Sequence, residues 1–358
     1  MGAIRNGRTA PETDAWIYNR FWNFAAQKKN AQKMATEILL LIAGLALVLI
    51  GAEALIDGAS GLARRWGISE FVIGLTIVAL GTSAPEMVVS FISAVEGNSD
   101  MAVGNIIGSN IFNTALILGL SAVIAPVAIT RGNLRRDIPV NIGITALLIL
   151  LGLKHTLFGI GADGLSRVEG AVFLALFIWY MISSFLHDKE NRLESEGGEA
   201  VAENGKKMNL FKALLYIAAG LAALIFGGRL FVDHAQVIAR MAGLSDKFIA
   251  ITVLAAGTSL PELATSCVAA AKGKGQLALG NILGSNTSNI LLILGGSALI
   301  HPLNMAGITL IDYTAVFVCA LSLVLFSWTG NRNSLDRLEG VVLVLIQAFY
   351  FAWLFLLR

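Results

Sequence analysis

The sequence predicts an all-α membrane protein with ten transmembrane helices, arranged as two inverted five-helix repeats with discontinuous helices in the core. Three observations lead to this prediction. Of the 358 residues, 56% are hydrophobic and only 14% are charged, whereas about a quarter of the residues of an average soluble protein are charged. Long apolar stretches recur from residue 36 to the end of the sequence. Finally, the two halves of the sequence resemble each other.

Several of the apolar stretches exceed the roughly 18 to 20 residues that a helix needs to cross a bilayer. The ten predicted spans cover residues 36–56, 70–95, 101–125, 138–153, 168–186, 209–232, 246–271, 276–300, 314–329 and 338–357. Residues 1–35 are polar and basic and lack the apolar run of a secretory signal. Residues 187–208 are charged and contain glycine, which is typical of a solvated linker. The predicted regions are therefore an N-terminal extension (1–35), a first repeat (36–186), a cytoplasmic linker (187–208) and a second repeat (209–358).

A shift of 176 residues aligns the second half with the first without a gap. Between residues 81–126 and 257–302, 24 of 46 positions are identical, which indicates an internal repeat. Because each half has an odd number of predicted spans, the second half enters the membrane in the opposite orientation. Inverted repeats are common in secondary transporters, whose sites lie near the middle of the bilayer where the repeats meet.

Lys and Arg are concentrated in every second loop, beginning with the loop after the first span. This distribution predicts that those loops are cytoplasmic and that both termini lie outside. The basic residues of the N-terminal extension disagree with this orientation. Since Met34 directly precedes the first apolar stretch, our hypothesis is that translation begins there. N-terminal sequencing of the native protein tests this, and a mature chain that retains residues 1–33 would contradict it.

The second and seventh spans share the interruption Gly-Thr-Ser-x-Pro-Glu, at residues 81–86 and 257–262. Pro85 and Pro261 each remove a helical N–H donor and clash with the preceding turn, so both helices are predicted to break in mid-span. Carbonyl groups without helical partners are tolerated at that depth only where they face protein or a cavity. The carbonyls expected to be freed include those of Ala79, Thr82, Ala255 and Thr258.

Glu86 and Glu262 occupy equivalent positions of the two repeats. An ionised side chain in the middle of a bilayer costs about 2.5 to 3.5 kcal/mol on insertion scales, and two nearby carboxylates repel each other. A divalent cation between them removes both penalties, and so do several monovalent ions. Because the same two charges cannot be neutralised by both sets of ions at once, the pair predicts ion exchange.

The third and eighth spans share a second pattern, Gly-Asn-x-x-Gly-Ser-Asn-x-x-Asn, at residues 104–113 and 280–289. Ser109 and Asn113 lie four residues apart and share one helix face. Ser285 and Asn289 have the same spacing. These side chains offer neutral oxygens to a hard cation, while the glycines of the pattern permit close contact between helices.

With these two doubled patterns, the sequence resembles the calcium/cation antiporter superfamily, and most closely its prokaryotic Na+/Ca2+ exchanger branch. The resemblance covers essentially the whole chain after Met34. The cation/H+ branch usually carries Gly-Asn-Ala-x-Glu in place of Gly-Thr-Ser-x-Pro-Glu. Some relatives, including K+-dependent exchangers, have Asp at the position of Asn289. Because Asn stands there in this sequence, K+ co-transport is not expected.

The resemblance implies ten helices, with the second, third, seventh and eighth forming the ion core. It implies that Glu86 and Glu262 hold Ca2+ together with the carbonyls of Thr82 and Thr258. It also implies Na+ sites built from Ala79, Ser83 and Ser109 in one half and from Ala255, Ser259 and Ser285 in the other. The middle position of the site would lie between Asn113 and Asn289.

The leading prediction is therefore a Na+-driven Ca2+ exporter of the inner (plasma) membrane that works by alternating access. A Ca2+/H+ antiporter that uses the same two glutamates is the first alternative. An intramembrane hydrolase with Ser83 or Ser259 as nucleophile is a second, although every Lys and His lies in or near a loop or helix end. A regulatory scaffold with a vestigial site is a third. We expect Ca2+, Na+ or H+ and the lipid bilayer as partners, and no enzyme activity, resident cofactor, nucleic-acid partner or obligate protein partner.

Overall fold

The computed structural model describes residues 12–195, 208–242, 255–328 and 334–357, and it is built almost entirely of helices. In chain order the helices are α1 (Glu12–Trp66), α2 (Glu70–Thr82), α3 (Ala84–Val95), α4 (Ser99–Ile124), α5 (Ile138–Gly152), α6 (Lys154–Phe158), α7 (Arg167–Ser195), α8 (Leu210–Met241), α9 (Ala255–Thr258), α10 (Leu260–Ala271), α11 (Gly275–Ile300), α12 (Leu310–Trp328) and α13 (Arg337–Leu357). Four two-residue strands are β1 (Val127–Ala128), β2 (Gly164–Leu165), β3 (Leu303–Asn304) and β4 (Ser334–Leu335).

Among the described residues, six helices are long and apolar enough to cross a bilayer, namely α1, α4, α7, α8, α11 and α13. The pair α2 and α3, bent by 50° at its break, gives a seventh candidate span. The helical, membrane-spanning architecture predicted from the sequence is therefore confirmed.

Two helices extend beyond the predicted spans. Helix α1 begins at Glu12, inside the segment predicted to be a separate extension, and ends at Trp66 rather than residue 56. Helix α7 continues to Ser195, well into the predicted linker. The sequence after residue 186 contains Glu, Lys, Arg and Leu, which favour helix even where the chain is no longer apolar. The predicted linker is thus helical in its first part, and its residues 196–207 lie outside the described residues.

The core is formed by α4 and α11, the two helices that carry the Ser-Asn patterns. Of their most apolar stretches, 78% of α4 and 94% of α11 is buried by the rest of the protein, against 22% to 28% for the other four long helices. The polar residues of α4 and α11 therefore face protein rather than lipid, as expected for polar groups that a membrane helix must satisfy internally.

Helices α1 and α8 pack closely against each other along glycine-bearing faces. A Cβ atom at Gly51 would lie 2.9 Å from the carbonyl oxygen of Gly220, a distance at which no larger residue fits without displacing the backbone. His234, expected near a loop, lies inside α8 and contacts Glu37 of α1 at 2.5 Å. The glycines of α1 and α8 therefore allow the two helix backbones to approach closely.

The short strands join the two halves of the chain. Strand β1 pairs antiparallel with β4, with Val127 opposite Leu335. Strand β2 pairs antiparallel with β3, with Gly164 opposite Asn304. The 176-residue shift maps β1 onto β3. Each strand pair therefore contains one strand from each half of the chain, and the two pairs occupy equivalent positions of the repeat.

Candidate cation site

The two Gly-Thr-Ser-x-Pro-Glu segments interrupt their helices at the predicted place. Ser83 separates α2 from α3, and Ser259 separates α9 from α10. Both serines leave helical geometry, with ψ of 8° and 9°, and in both cases the proline stands in the first turn of the following helix. Proline is well tolerated there because the first N–H groups of a helix lack partners in any case. The sequence pattern thus ends one helix and begins another.

Glu86 and Glu262 lie in the first turns of α3 and α10 and are almost completely buried. The N-terminal end of a helix carries partial positive charge, which favours a carboxylate at that position. Each carboxylate accepts a hydrogen bond from the serine three residues before the other glutamate, Glu262 from Ser83 and Glu86 from Ser259. They therefore meet at one place, as predicted for equivalent residues of two repeats.

The hydroxyl groups of Ser83 and Ser259 connect the two halves rather than cap their own helices. Ser83 Oγ donates to Glu262 Oε1 at 2.8 Å, and Ser259 Oγ donates to Glu86 Oε1 at 2.9 Å. Ser259 Oγ also lies 3.5 Å from Ser109 Oγ. Because each serine contacts the glutamate of the other repeat, neither segment forms a site alone. Both hydroxyls donate to carboxylates, whereas the hydrolase alternative requires a Lys or His base beside the serine.

The carbonyl of Ala79 differs from the prediction. It was expected to be free of helical partners, but it accepts the N–H of Ser83 at 3.0 Å and the Thr82 hydroxyl at 3.3 Å. The break begins at Ser83, one turn later than Ala79, so the last hydrogen bond of α2 still forms. Thr82 is buried, and its hydroxyl also lies 3.3 Å from Asn281 Oδ1, so its single proton is shared between that oxygen and the Ala79 carbonyl. Ala255 and Thr258 are the first and last residues of α9.

The remaining predicted side chains come from the two core helices. Ser109, Asn113, Ser285 and Asn289 are all buried. In both helices the backbone widens to π-helix at this level, over Phe112–Leu118 in α4 and Asn289–Leu294 in α11. Such π-helical turns occur frequently at functional sites, and here they include both Asn113 and Asn289.

Several polar residues that the sequence analysis did not assign to the site form hydrogen bonds next to the site residues. Asn105 donates to the Glu86 carbonyl at 3.3 Å and to Ser90 Oγ at 3.0 Å. In the other half, Asn281 donates to Ser266 Oγ at 2.9 Å. The identity of these residues in the two repeats was the available signal, since Asn105 and Ser90 recur as Asn281 and Ser266 after the 176-residue shift.

Five oxygens of the predicted residues are buried and accept or donate no hydrogen bond within the described part of the chain. They are Glu86 Oε2, Glu262 Oε2, Asn113 Oδ1, Asn289 Oδ1 and Ser285 Oγ. A buried polar atom left without a partner costs about 1 to 3 kcal/mol, and more for a charged group. Each glutamate thus uses one oxygen for a cross-repeat serine and keeps the other available.

These five oxygens are of the kinds that a hard cation binds. Ca2+ and similar ions bind carboxylate, amide and hydroxyl oxygens, and these five are buried without protein partners. Within the described ranges no cluster of three or more His, Cys, Asp or Glu side chains is present, so the donor set consists of two carboxylates supplemented by neutral oxygens. The fold and this arrangement together define a multi-pass membrane protein in which two buried carboxylates lie among neutral oxygens.

The chain belongs to the sodium/calcium exchanger protein family, whose sequence pattern it matches over residues 36–186 and 212–356. It is 38% identical over 315 residues to the putative antiporter CaxA of Alkalimonas amylolytica, covering 87% of this chain and 96% of that protein. It is 33% identical over 354 residues to the sodium/calcium exchanger MaX1 of Methanosarcina acetivorans, covering 90% of this chain and 99% of the relative. A solved structure of the sodium-calcium exchanger NCX_Mj superimposes with a TM-score of 0.74 at 31% identity, covering 90% of this chain and 99% of that one. The chain is therefore a membrane protein of a cation-antiporter family, and its relatives are transporters rather than enzymes.

Proposed function

We propose that this protein is a Na+-driven Ca2+ exporter of the inner membrane, that Ca2+ and Na+ are its substrates, and that it needs no resident cofactor. The observation that carries the proposal is the set of partnerless oxygens on Glu86, Glu262, Asn113 and Asn289. They come from both halves and are arranged around two buried carboxylates. Either one Ca2+ or several Na+ ions neutralise the two charges, so Ca2+ and Na+ compete for the same oxygens.

We also propose that the chain has ten transmembrane helices in two inverted repeats. The reciprocal contacts of the two halves support this arrangement. Ser83 donates a hydrogen bond to Glu262, and Ser259 donates one to Glu86. The strand pairs β1–β4 and β2–β3 likewise each join one strand from each half. Such exchanged pairs are what a two-fold axis between equivalent segments produces. For an odd number of spans in each half, that axis lies in the membrane plane.

Alternating access is supported by a difference between the two sides of the site. Helices α3 and α8 face each other across a cavity of about 330 Å³, which reaches Thr258 and Pro261 at the break. The lining from α3 includes Pro85 and Val89, and that from α8 includes Gly228 and Arg229. The equivalent pair, α10 and α1, is in contact instead. A cavity beside the site in one half, with a helix contact at the equivalent place in the other, is the asymmetry that alternating access requires.

An ion-pair cluster holds the closed side together. Lys272 Nζ, at the end of α10, lies 2.8 Å from Asp57 Oδ1 and 3.1 Å from Glu53 Oε1 of α1. Partial burial lowers the pKa of the Lys272 ammonium, but the hydrogen bonds to Asp57 and Glu53 outweigh it and hold that pKa above its ordinary value. The lysine therefore stays charged, and the contact persists, over the physiological pH range. Glu53 and Asp57 both lie inside α1.

Equivalent positions of the two halves give a direct test of this asymmetry. In a protein without Cys267 and Cys319, we expect Val89→Cys to react with a charged, membrane-impermeant thiol reagent because Val89 lines the cavity. The matched variant Thr265→Cys, at the equivalent position of α10, should be protected because Thr265 is completely buried. Labelling is measured by mass shift of the purified protein. Equal labelling of both cysteines would contradict a one-sided cavity.

The coupling ion is tested in everted membrane vesicles with radioactive Ca2+. We expect uptake into the vesicles to require Na+ inside them, and to be unchanged by K+ because the site has Asn at both 113 and 289. A Glu86→Gln protein serves as the control for flux through other carriers. Uptake driven equally well by a proton gradient in the absence of Na+ would replace the Na+ exporter by the Ca2+/H+ antiporter, in which the two glutamates carry protons.

A further inference from the structure

We propose that Asn110 and Asn286 are positioning residues, which orient the amide groups of Asn289 and Asn113 so that their oxygens face the cation. Neither residue needs to touch the ion. The inference rests on the proposed cation site, because it concerns which atom of each amide that site receives. Both residues are buried, and each contacts the asparagine of the other repeat.

The first chain of hydrogen bonds begins at a main-chain carbonyl. Asn110 Nδ2 donates to the carbonyl oxygen of Asn286 at 3.2 Å. This places Asn110 Oδ1 toward Asn289, whose Nδ2 donates to it at 3.0 Å. The remaining atom of the Asn289 amide, Oδ1, is the one without a protein partner. The amide of Asn289 therefore presents an acceptor, not a donor, to the interior of the site.

The direction of this chain is fixed because a carbonyl oxygen only accepts hydrogen bonds. Turning the Asn110 amide over would place its Oδ1 against the Asn286 carbonyl. Turning only the Asn289 amide would place two Oδ1 atoms against each other and direct the Asn289 NH2 group at the cation. Both alternatives replace a hydrogen bond by repulsion between like dipoles, so the main chain of Asn286 determines the orientation of Asn289 through Asn110.

The second chain is equivalent but less strictly directed. Asn113 Nδ2 donates to Asn286 Oδ1 at 3.2 Å, which leaves Asn113 Oδ1 without a protein partner. Asn286 Nδ2 in turn donates to Thr114 Oγ1 at 2.8 Å. A hydroxyl group both donates and accepts, so Thr114 does not forbid the reversed orientation. We therefore expect the branch through Asn110 to control the site more strongly.

The decisive experiment removes the positioning side chain in two backgrounds. Asn110→Leu preserves approximate size and deletes both hydrogen bonds, so Asn289 is free to direct its NH2 group at the ion. Partners that orient a metal ligand typically contribute ten- to a hundredfold in affinity, so we expect Asn110→Leu to weaken Ca2+ binding by at least about tenfold. In an Asn289→Asp protein both terminal atoms are oxygens, so an oxygen faces the cation whichever way the group is turned. The second oxygen then faces Asn110 Oδ1, and Asn110→Leu removes this repulsion, so in that background the substitution should not weaken Ca2+ binding.

The measurement is equilibrium binding of radioactive Ca2+ to the purified full-length protein. Asn141→Leu is the matched control, because Asn141 is buried and bonds Thr287 of α11 at 3.3 Å without contacting either site amide. Its affinity should stay close to that of the unmodified protein. Asn110→Ser, which is shorter and still polar, replaces Asn110→Leu if the latter does not fold, with the same expected pattern.

Equal weakening by Asn110→Leu in the unmodified and the Asn289→Asp backgrounds would show that Asn110 is only structural, and no weakening in either would show that the orientation is fixed otherwise. Each result overturns the proposal. These outcomes differ from a failure of the proposed function, in which the unmodified protein binds no Ca2+ or binds it equally well as the Glu86→Gln protein. The unmodified protein and Glu86→Gln are therefore measured first.

Discussion

Replacing Glu86 by Gln is expected to reduce Ca2+ binding and Ca2+ flux by at least about a hundredfold. At an effective dielectric constant of about 20, a carboxylate 4 Å from one unit charge contributes about 4 kcal/mol, and a divalent ion more. Since about 1.4 kcal/mol corresponds to a factor of ten, loss of one of two carboxylates removes most of the affinity. The amide oxygen of Gln still accepts from Ser259, so the protein should fold. The same loss is expected for Glu262→Gln.

The measurements are radioactive Ca2+ binding to purified protein and uptake into vesicles. Glu339→Gln is the matched control, because Glu339 is also a buried glutamate in the first turn of a helix but lies at the start of α13, where it accepts the N–H of Asp336. Its transport should remain within about threefold of the unmodified protein. Full transport by both Glu86→Gln and Glu262→Gln would leave the regulatory scaffold as the better account.

Replacing Gly284 by Val is expected to prevent the core from assembling. A Cβ atom at Gly284 would lie 2.2 Å from the carbonyl oxygen of Leu75 and 2.7 Å from Cβ of Ala79 in α2. Overpacking a core typically costs about 1 to 3 kcal/mol, occasionally more, and here the obstacle is backbone, which cannot rotate away as a side chain does. We expect more than about 3 kcal/mol of destabilisation, seen as loss of monodisperse protein and a lowered melting temperature in detergent.

The control for this substitution is Gly228→Val in α8, since no described atom lies within 4 Å of a Cβ at that position. It should fold normally. Gly108, the equivalent of Gly284 in the first half, also has no described atom within 4 Å of a Cβ, and residue 251, the equivalent of Leu75, lies outside the described residues. A Gly284→Val protein that is as stable as the unmodified protein would contradict the close approach of α11 to α2.

Much of the site was predictable because its chemistry is local. A proline shortly after a serine interrupts a helix through its own ring and its missing N–H, so the breaks at Ser83 and Ser259 follow from the sequence. The 176-residue repeat then predicts that Glu86 and Glu262 are equivalent. The free-energy cost of an ionised side chain in a bilayer predicts that the two carboxylates lie close together around a cation. The predicted ends of α1 and α7 were less accurate, because a fall in hydrophobicity marks the edge of the bilayer and not the end of the helix.

The partners of the site residues were not predictable in the same way. A serine such as Ser83 can cap its own helix, but here its hydroxyl bonds to Glu262. Ala79 was expected to have a free carbonyl, but the helix breaks one turn later and the carbonyl stays hydrogen-bonded. The hydrogen bonds from Ser83 to Glu262 and from Asn289 to Asn110 each join residues 179 positions apart. Such bonds exist only once α2, α4, α10 and α11 have packed, and no local pattern specifies them.

The sequence by itself thus determined the class of protein, the two interrupted helices and the carboxylates of the site, because composition, proline and charge act locally or through the repeat. The tertiary structure decided how the two Gly-Thr-Ser-x-Pro-Glu segments share their groups, which oxygens remain available and which side of the site has a cavity. The physical reason is that a buried polar atom bonds to whatever lies beside it, and for Ser83, Ser259, Asn113 and Asn289 that neighbour comes from the other half of the chain.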